Sequence, residues 1–250
     1  MLARLSLPPL ARSFHTARSL NMVKVVPIPV NGSHANYAYL IIDNKKAAVV
    51  DPYDVPKVFK EAENQGVSEI IACLTTHHHD DHAGGNQDLA GKLPNVPIYG
   101  GSKQGLAVNH IVKDKDEIKL TDNIHIKLHL LLYYATDPSK PSEAGGVFTG
   151  DTLFIGGCGR FFEGTPAEMH AALSYLGALP NETVVYNGHE YTTGNVAFAK
   201  TVDGANPAVQ KLAWNPFMRL GAEAIKSATG ETSELGIMQK LRELKNNFRG

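Results

Sequence analysis

Short apolar runs alternate with stretches of helical periodicity along most of the chain after Met22. The β-branched and aromatic runs have strand length, and they predict strands over residues 23–28, 37–42, 47–50, 69–75, 124–132, 146–149 and 183–186. Helical periodicity predicts helices over residues 55–65, just after Asn86, and over 166–176, 195–202, 207–214 and 231–247. This alternation of strands and helices indicates a layered α/β architecture.

The sequence becomes mainly helical after about Tyr191, which predicts a main domain over residues 22–190 and a small C-terminal helical domain over 191–250. Residues 1–21 differ from both. They contain Arg4, Arg12 and Arg18 and no acidic residue, as is typical of a mitochondrial transit peptide, although two adjacent prolines would interrupt a helix. We expect a protein of the mitochondrial matrix, with a cytosolic form starting at Met22. A disordered tail, or a start site assigned too early, is the alternative.

Charge and cysteine content narrow the choice of partners. The 24 Lys and Arg residues nearly balance the 25 Asp and Glu residues, so no nucleic acid or anionic membrane is expected as the main partner. No run of ~18 apolar residues is present, so no membrane-spanning helix is expected. The two cysteines, Cys73 and Cys158, do not form a secreted disulfide framework, and a reducing compartment is indicated. We expect a monomer.

A dense histidine cluster directly follows the predicted strand 69–75. Four of the chain's 11 histidines lie within the six residues from His77 to His82, together with Asp80 and Asp81. Imidazole and carboxylate groups are ligands for zinc, iron and manganese, and open α/β sheets place their sites at strand ends. The cluster therefore predicts metal binding, with a solvated polar loop or a chance chelating tract as the alternative.

Two further candidate ligands follow other predicted strands. Asp151 stands after the apolar run 146–149, and His189 stands after the run 183–186. Taken alone, Asp151 could cap a turn and His189 could be an ordinary loop histidine. Together with the histidine cluster, they could supply the bridging carboxylate and the terminal imidazole of a two-metal centre.

The segments T-H-H-H-D-D-H (76–82), F-T-G-D-T-L-F (148–154) and G-H-E-Y (188–191) resemble, in this order, the metallo-β-lactamase superfamily and its glyoxalase II branch. The resemblance implies an α/β fold, the αββα sandwich, with a small C-terminal helical domain. It also implies two transition-metal ions, most simply Zn²⁺, with iron or manganese as alternatives. It implies that the first metal is bound by His77 and His79, the second by Asp81, His82 and His189, and that both are bridged by Asp151. His78 and Asp80 are not ligand positions in this pattern.

One expected ligand segment is missing. The family pattern has a further histidine for the first metal in a T-P-C-H-T-like turn, but here the residues 124–130 run directly into 131–134. A second gap falls at residues 211–217, before N-P-F-M-R. Both gaps could be real or could come from mistaken exon boundaries. His129 is a candidate replacement ligand, although alternation along 124–130 places His125, Lys127 and His129 on the polar face of a strand.

The resemblance also implies residues that bind an acylated glutathione, which carries two carboxylates. The implied set comprises Arg160, Phe161, Phe162, His189, Glu190, Tyr191, Arg242 and Lys245. Without the resemblance, Arg242 and Lys245 would be interpreted as part of an exposed basic face of a helix. Phe162 stands where some relatives have tyrosine, so one hydroxyl contact is in doubt. Cys158, with no histidine near it in sequence, is not expected to be a nucleophile.

The function that the resemblance implies is thioester hydrolysis in methylglyoxal detoxification. S-D-lactoylglutathione, or another S-(2-hydroxyacyl)glutathione, would yield glutathione and D-lactate or another 2-hydroxy acid. The attacking group would be a metal-bound hydroxide held by Asp81, His82 and Asp151. The alternatives are a persulfide dioxygenase, a β-lactamase or nuclease of the same superfamily, and a catalytically impaired protein that binds metal and glutathione. The missing turn leaves the activity of this form open.

Overall fold

Two β-sheets lie face to face in the computed structural model, which describes residues 23–32, 35–130, 132–206 and 215–248. The predicted transit peptide, the predicted helix 207–214 and most of the second gap lie outside the described residues. The first sheet has the strand order β1 (Val23–Asn31), β2 (Asn36–Asp43), β3 (Lys46–Val50), β4 (Glu69–Leu74), β5 (Ile98–Gly100) and β6 (His110–Ile111). Its first three strands pair antiparallel and the rest pair parallel.

The second sheet has five strands and is mostly antiparallel. Its strands are β7 (Glu117–Lys119), β8 (His125–His129), β9 (Leu132–Thr136), β10 (Gly146–Gly150) and β13 (Val184–Asn187), in the spatial order β13-β10-β9-β8-β7. Only β10 and β13 are parallel. A separate two-stranded hairpin, β11 (Leu153–Phe154) with β12 (Gly157–Cys158), follows β10.

Helices cover the outer faces of both sheets. In chain order they are α1 (Val55–Asn64), α2 (Asp80–Ala83), α3 (Asn86–Lys92), α4 (Pro166–Ala178), α5 (Thr192–Asp203), a 3-10 turn (Pro216–Met218), α6 (Glu223–Thr229) and α7 (Glu234–Asn247). None of the helices within these described ranges is both long and apolar enough to cross a bilayer.

Three apolar layers hold this arrangement together. Residues of both sheets, such as Ile41 on β2 and Ile126 on β8, form the core between the sheets. A second core lies between the first sheet and the helices α1 and α3. A third lies between the second sheet and α4 to α7, where Val147 of β10 shares a cluster with Leu241 of α7. The order helix, sheet, sheet, helix is the αββα sandwich that the sequence predicts.

The sequence prediction of one strand over 124–132 is wrong. Two strands stand there, β8 and β9, and they form an antiparallel hairpin in which His129 pairs with Leu132. Leu130 turns the chain with a positive φ of 47°. No Gly, Pro or Asn marks this turn, and the leucines after His129 resemble a continuation of the strand in sequence. The predicted alternation within β8 is confirmed, because Ile126 and Leu128 are buried while Lys127 is exposed.

We expect the C-terminal helix α7 to be an integral part of the third core. Leu241 is fully buried within it, so Leu241→Ala should lower the free energy of unfolding by about 2–5 kcal/mol through lost burial and the cavity left behind. Leu235→Ala on the same helix is the control, because Leu235 is 46% exposed and should change stability by less than about 0.5 kcal/mol. Denaturant unfolding measures the free energy of unfolding of both variants. Equal, small effects would show that α7 does not contribute to the cooperative core.

Candidate metal centre

The candidate ligands lie where strands of both sheets end at a common edge. Strand β4 leads into His77, β10 into Asp151 and β13 into His189. Backbone hydrogen bonds fix these ends to one another: the Gly188 N–H donates to Gly150 O at 2.9 Å, and the Tyr37 N–H donates to Gly188 O at 2.9 Å. Residues that are far apart in sequence are thereby brought to one place.

Two ligand groups adjoin one another at this edge. The first comprises His77, His82 and Asp151, and the second comprises Asp81, His82 and His189, with ligand atoms within 4.8 Å of one another in each group. His82 Nε2 and His189 Nε2 each lie 3.2 Å from Asp151 Oδ1. Asp81 Oδ2 lies 3.4 Å from His189 Nε2. Asp151 is thus in contact with both groups, as a bridging carboxylate requires. His82 belongs to both groups, whereas His79, which the resemblance implies for the first metal, belongs to neither.

The imidazole of His82 is oriented by Asp51, which sequence reasoning missed. Asp51 Oδ2 lies 2.9 Å from His82 Nδ1, and both side chains are buried. A carboxylate only accepts hydrogen bonds, so Nδ1 carries the proton and the lone pair of Nε2 faces Asp151 and His189. In the sequence, Asp51 is marked only by its position directly after the apolar strand β3. That position does not distinguish a residue that orients a ligand from one that caps a turn.

The imidazole of His77 is oriented in a similar way through Thr76. The Thr76 hydroxyl donates to Asp51 Oδ2 at 2.7 Å, so its oxygen accepts from His77 Nδ1 at 3.1 Å. The lone pair of His77 Nε2 therefore faces the centre. Burial, with a smaller contribution from neighbouring His82, lowers the pKa of His77 to about 4 and keeps its imidazole neutral, as a metal ligand must be.

His79 connects the first group to a third one. Its Nδ1 lies 3.1 Å from His77 Nε2, while its Nε2 lies 3.1 Å from Glu163 Oε1. His78 Nε2 approaches the same Glu163 oxygen at 3.5 Å. His78, His79 and Glu163 form a cluster that the sequence analysis did not anticipate, because Glu163 lies 84 positions from His79. Asp80 belongs to none of the clusters found within the described residues.

The electrostatics of the centre favour cations. Although burial raises the pKa of Asp151, the adjoining imidazoles of His189 and His82 hold it well below its usual range. Burial lowers the pKa of His82, but Asp151 and Asp51 more than offset this and raise it to about 10, so a positive charge beside Asp151 is favoured, either as a proton on His82 Nε2 or as a cation that replaces that proton. Asp151 Oδ1 is buried and makes no hydrogen bond of regular geometry within the part of the chain described, although two imidazole nitrogens lie 3.2 Å from it. Carboxylates and inward-facing lone pairs at this density fit divalent transition-metal ions.

Asn36 is another residue that sequence analysis missed. Its Nδ2 donates to Asp81 Oδ2 at 3.0 Å and to the Asp81 carbonyl at 3.1 Å, which fixes the direction of that carboxylate. Asn36 also forms a β-bridge with His189, so one residue positions parts of two candidate ligands. No local sequence pattern marks it.

The comparisons with known proteins agree with this geometry. A family model described as "Metallo-beta-lactamase superfamily" matches residues 32–133, and one described as "Hydroxyacylglutathione hydrolase C-terminus" matches residues 211–248. The cytoplasmic hydroxyacylglutathione hydrolase of Arabidopsis thaliana is 40% identical over 250 residues, which cover 86% of this chain and 96% of that protein. The chain belongs to the hydroxyacylglutathione hydrolase family. The resemblance to glyoxalase II is therefore confirmed, and a metal-dependent hydrolase is supported.

Two further relatives extend this finding. A hydroxyacylglutathione hydrolase of Nostoc punctiforme is 34% identical, and the match covers 85% of this chain and 96% of that protein. The crystal structure of a metallo-β-lactamase from Staphylococcus aureus superposes with a TM-score of 0.60 at 20% identity, covering 90% of this chain and 72% of that one. At this identity the structural match shows the fold alone, and it confirms the predicted fold class.

Three cations of this hydroxyacylglutathione hydrolase family member lie on or contact segments that adjoin the candidate ligands in sequence. Arg242 is buried, and its guanidinium donates to the Cys158 carbonyl at 2.7 Å. Lys245 is half-buried and donates to the Gly194 carbonyl at 3.1 Å. Burial lowers the pKa of both side chains, and the charge of Arg160 lowers each further, so the three cations lie near one another. None of them pairs with a carboxylate in the described ranges.

The implied aromatic residues occupy different positions. The Tyr191 ring stacks on His189 with centroids 4.5 Å apart, and the Phe162 ring meets His79 edge-on at 5.8 Å. Both are exposed, Phe162 by 66%. Phe161 instead packs against the third core. Glu190 accepts a hydrogen bond from the Thr192 N–H at 3.1 Å at the start of α5.

Two other candidates lie away from the ligand groups. His129 Nδ1 is 3.0 Å from Asp114 Oδ1, and its ring stacks on Tyr175, so the structure does not bring it to the centre as a replacement ligand. Burial raises the pKa of Cys158 to about 12, which agrees with the expectation that it is not a nucleophile.

We expect Gly188→Ala to empty the metal centre without unfolding the protein. A Cβ at Gly188 would lie 2.7 Å from His82 Cε1 and 2.9 Å from Asp151 Oδ1, so these ligands would have to move. Because metal ligation tolerates only a few tenths of an ångström, bound metal should fall. Elemental analysis of the purified protein measures this. Gly91→Ala is the control, since nothing lies within 4 Å of its added methyl. Wild-type metal content in Gly188→Ala would show that the ions bind elsewhere.

Proposed function

We propose that this chain hydrolyses S-(2-hydroxyacyl)glutathione thioesters to glutathione and a 2-hydroxy acid, with S-D-lactoylglutathione as the reference substrate. The observation that carries the proposal is that two adjoining imidazole and carboxylate groups lie beside three cations without carboxylate partners in the described residues. Glutathione carries two carboxylates, which such cations would bind. Relatives at 34–40% identity bear the name of this activity.

We propose that the centre takes two zinc ions. His77, His79 and Asp151 would hold the first ion, and Asp81, His82, His189 and Asp151 the second. When bound, such ions polarise a carbonyl oxygen and lower the pKa of a coordinated water from 15.7 to about 7. Asp51 and Asn36 hold the ligands in place, and Asp51 keeps the Nε2 lone pair of His82 directed inward. No protein side chain has to act as the nucleophile.

The thioester would lie between the metal centre and the cations. Burial and the charges of Asp151 and Asp81 raise the pKa of Tyr191, and the charge of Arg160 partly offsets this, so Tyr191, whose ring stacks on His189, lies within reach of both the ligand region and a cation. The adjacent Gly159 packs directly against the Asp151 backbone, where a Cβ would meet the carbonyl oxygen at 2.0 Å. We propose that Arg160, Arg242 and Lys245 bind the glutathione carboxylates, and that exposed Phe162 and Tyr191 contact the remainder of the substrate. Phe162 lacks the hydroxyl that a tyrosine would offer.

We also propose that the second ion binds more tightly than the first. All the ligands expected for the second ion are present, whereas the β8-β9 hairpin replaces the segment expected to supply a third imidazole to the first. A catalytically impaired protein that binds metal and glutathione is the competing function, and this gap favours it. Metal content and thioester turnover measured on the same sample distinguish the two.

The Arg-rich residues 1–21 support delivery to the mitochondrial matrix, with a cytosolic form from Met22, as a separate proposal.

We expect Lys245→Ala to raise the KM for glutathione thioesters with little change in kcat. Removing one charged contact remote from the reacting carbon should weaken substrate binding by about 1.5 kcal/mol, which corresponds to a roughly tenfold rise in KM. Lys240→Ala is the matched control on α7, because Lys240 pairs with Glu243 and should leave KM unchanged. Arg242→Ala should raise KM as well, but it also removes packing on Phe217. An equal loss against a thioester without glutathione would show that recognition is not affected.

We expect this chain to be a poor enzyme that an inserted segment improves. Restoring a T-P-C-H-T-type turn after Leu130 should raise zinc stoichiometry toward two and increase turnover by on the order of 10²-fold or more, because half of the paired centre would be recovered. Inductively coupled plasma mass spectrometry and a thioester assay on both chains test this. Equal zinc content and equal turnover would show that the missing turn is irrelevant.

A further inference from the structure

Glu163 makes a contact that the ligand scheme above does not use. Its Oε1 lies 3.1 Å from His79 Nε2, on the opposite side of the imidazole from the centre. The other ring nitrogen, Nδ1, lies 3.1 Å from His77 Nε2. His79 therefore stands between a carboxylate and a ligand nitrogen.

The chemistry of this contact fixes where the proton of His79 lies. A carboxylate only accepts hydrogen bonds, so Nε2 carries the proton and Nδ1 keeps its lone pair. His77 Nε2 also presents a lone pair, because its Nδ1 donates to Thr76. Two lone pairs directed at one position from 3.1 Å apart repel each other unless a cation lies between them.

The loop that carries Glu163 is anchored at both ends. At one end, Gly159 packs on the carbonyl of Asp151 so closely that no side chain fits. At the other, Thr165 and Glu168 form a reciprocal capping box that starts helix α4. These contacts fix both ends of the six residues 159–164, and Glu163 contacts His79 from this loop.

We propose that Glu163 is a positioning residue for the first metal: it accepts the Nε2–H of His79 and holds the Nδ1 lone pair toward the ion shared with His77. This deepens the proposed function and rests on it. A metal-binding imidazole typically donates its other N–H to an acceptor, and losing that acceptor costs about 10- to 100-fold in metal affinity. Because the first ion lacks its third imidazole here, the direction of His79 matters more than in a complete site.

A direct ligand role for Glu163 would predict a different result. In that case His78, His79 and Glu163 would together bind an ion through their outward atoms, which lie within 4.8 Å of one another. His79 Nε2 would then have to lose its proton, and His78 would be needed. In the positioning role, His78 is dispensable, since its contact with Glu163 is longer at 3.5 Å.

The experiment compares the full chain with Glu163→Ala, Glu163→Gln and His78→Ala. Cobalt(II) titration, followed by visible absorption, reports the affinities of both ions. We expect Glu163→Ala to weaken the first ion about 10- to 100-fold and leave the second unchanged. Glu163→Gln should retain most of the affinity, because an amide oxygen still accepts the Nε2–H. His78→Ala should bind both ions as the wild type does.

Metal-free protein gives a second, independent readout. Two-bond ¹H–¹⁵N spectra of histidine-labelled chain, assigned with a His79→Gln variant, should show His79 protonated on Nε2 in the wild type and in Glu163→Gln, but mixed in Glu163→Ala. An unchanged affinity for the first ion, or an unchanged His79 tautomer, in Glu163→Ala would overturn the proposal. It would also be overturned if His78→Ala or Glu163→Gln lost as much affinity for the first ion as Glu163→Ala does. If no variant and no wild type binds metal, the proposed function fails, while the tautomer spectra still decide the role of Glu163.

Discussion

The carboxylate of Asp51 is buried between the two ligand groups and accepts three hydrogen bonds. Its oxygens receive the Thr76 N–H at 2.9 Å, the Thr76 hydroxyl at 2.7 Å and His82 Nδ1 at 2.9 Å. A buried carboxylate is costly unless its oxygens are satisfied, and here both are. Asp51 also adopts a φ of +48°, which only a well-packed surrounding maintains in a non-glycine residue. Because Thr76 in turn orients His77, this one carboxylate directs an imidazole in each group, and the rest of the centre is built around that arrangement.

The candidate metal ligands differ in how firmly the fold supports them. His82 lies on helix α2 and is fully buried, and His189 follows β13, where its β-bridge to Asn36 ties it to the first sheet. His79 stands at the start of α2 and receives its orientation from a loop residue, Glu163, that is itself exposed. Side chains set by regular elements are held more precisely than side chains set by loops. His82 and His189 are therefore held by regular elements, whereas the direction of His79, in our proposal, depends on one hydrogen bond to Glu163.

The sequence was sufficient to predict the ligand candidates, because His77 to His82, Asp151 and His189 each follow a recognisable apolar strand. The sandwich and the longer elements followed from periodicity and from the family resemblance, but the short strands β5, β6, β7, β11 and β12 and the short helices α2 and α6 were not predicted. Asp51, Asn36 and Glu163 could not be predicted, since each acts on a residue at least 25 positions away and belongs to no local pattern. The β8-β9 turn could not be predicted either, because Leu130, which adopts its positive φ, has the same hydrophobic character as the strand residues. Long-range hydrogen bonds and tight turns made from apolar residues are both invisible to periodicity.

The β8-β9 hairpin separates the requirements of the fold from those of the site. Its register, with Lys127 opposite Tyr134 and His129 opposite Leu132, keeps the second sheet continuous up to the turn. Tyr133, on β9, is fully buried and its hydroxyl donates to the Thr75 carbonyl at 3.0 Å, so the hairpin stays tied to the strand that leads into the histidine cluster. A shorter connection at this position therefore leaves both sheets and the inter-sheet core intact. The missing turn that the family resemblance implies therefore bears, in our proposal, on the first metal and not on the αββα sandwich, which is complete without it.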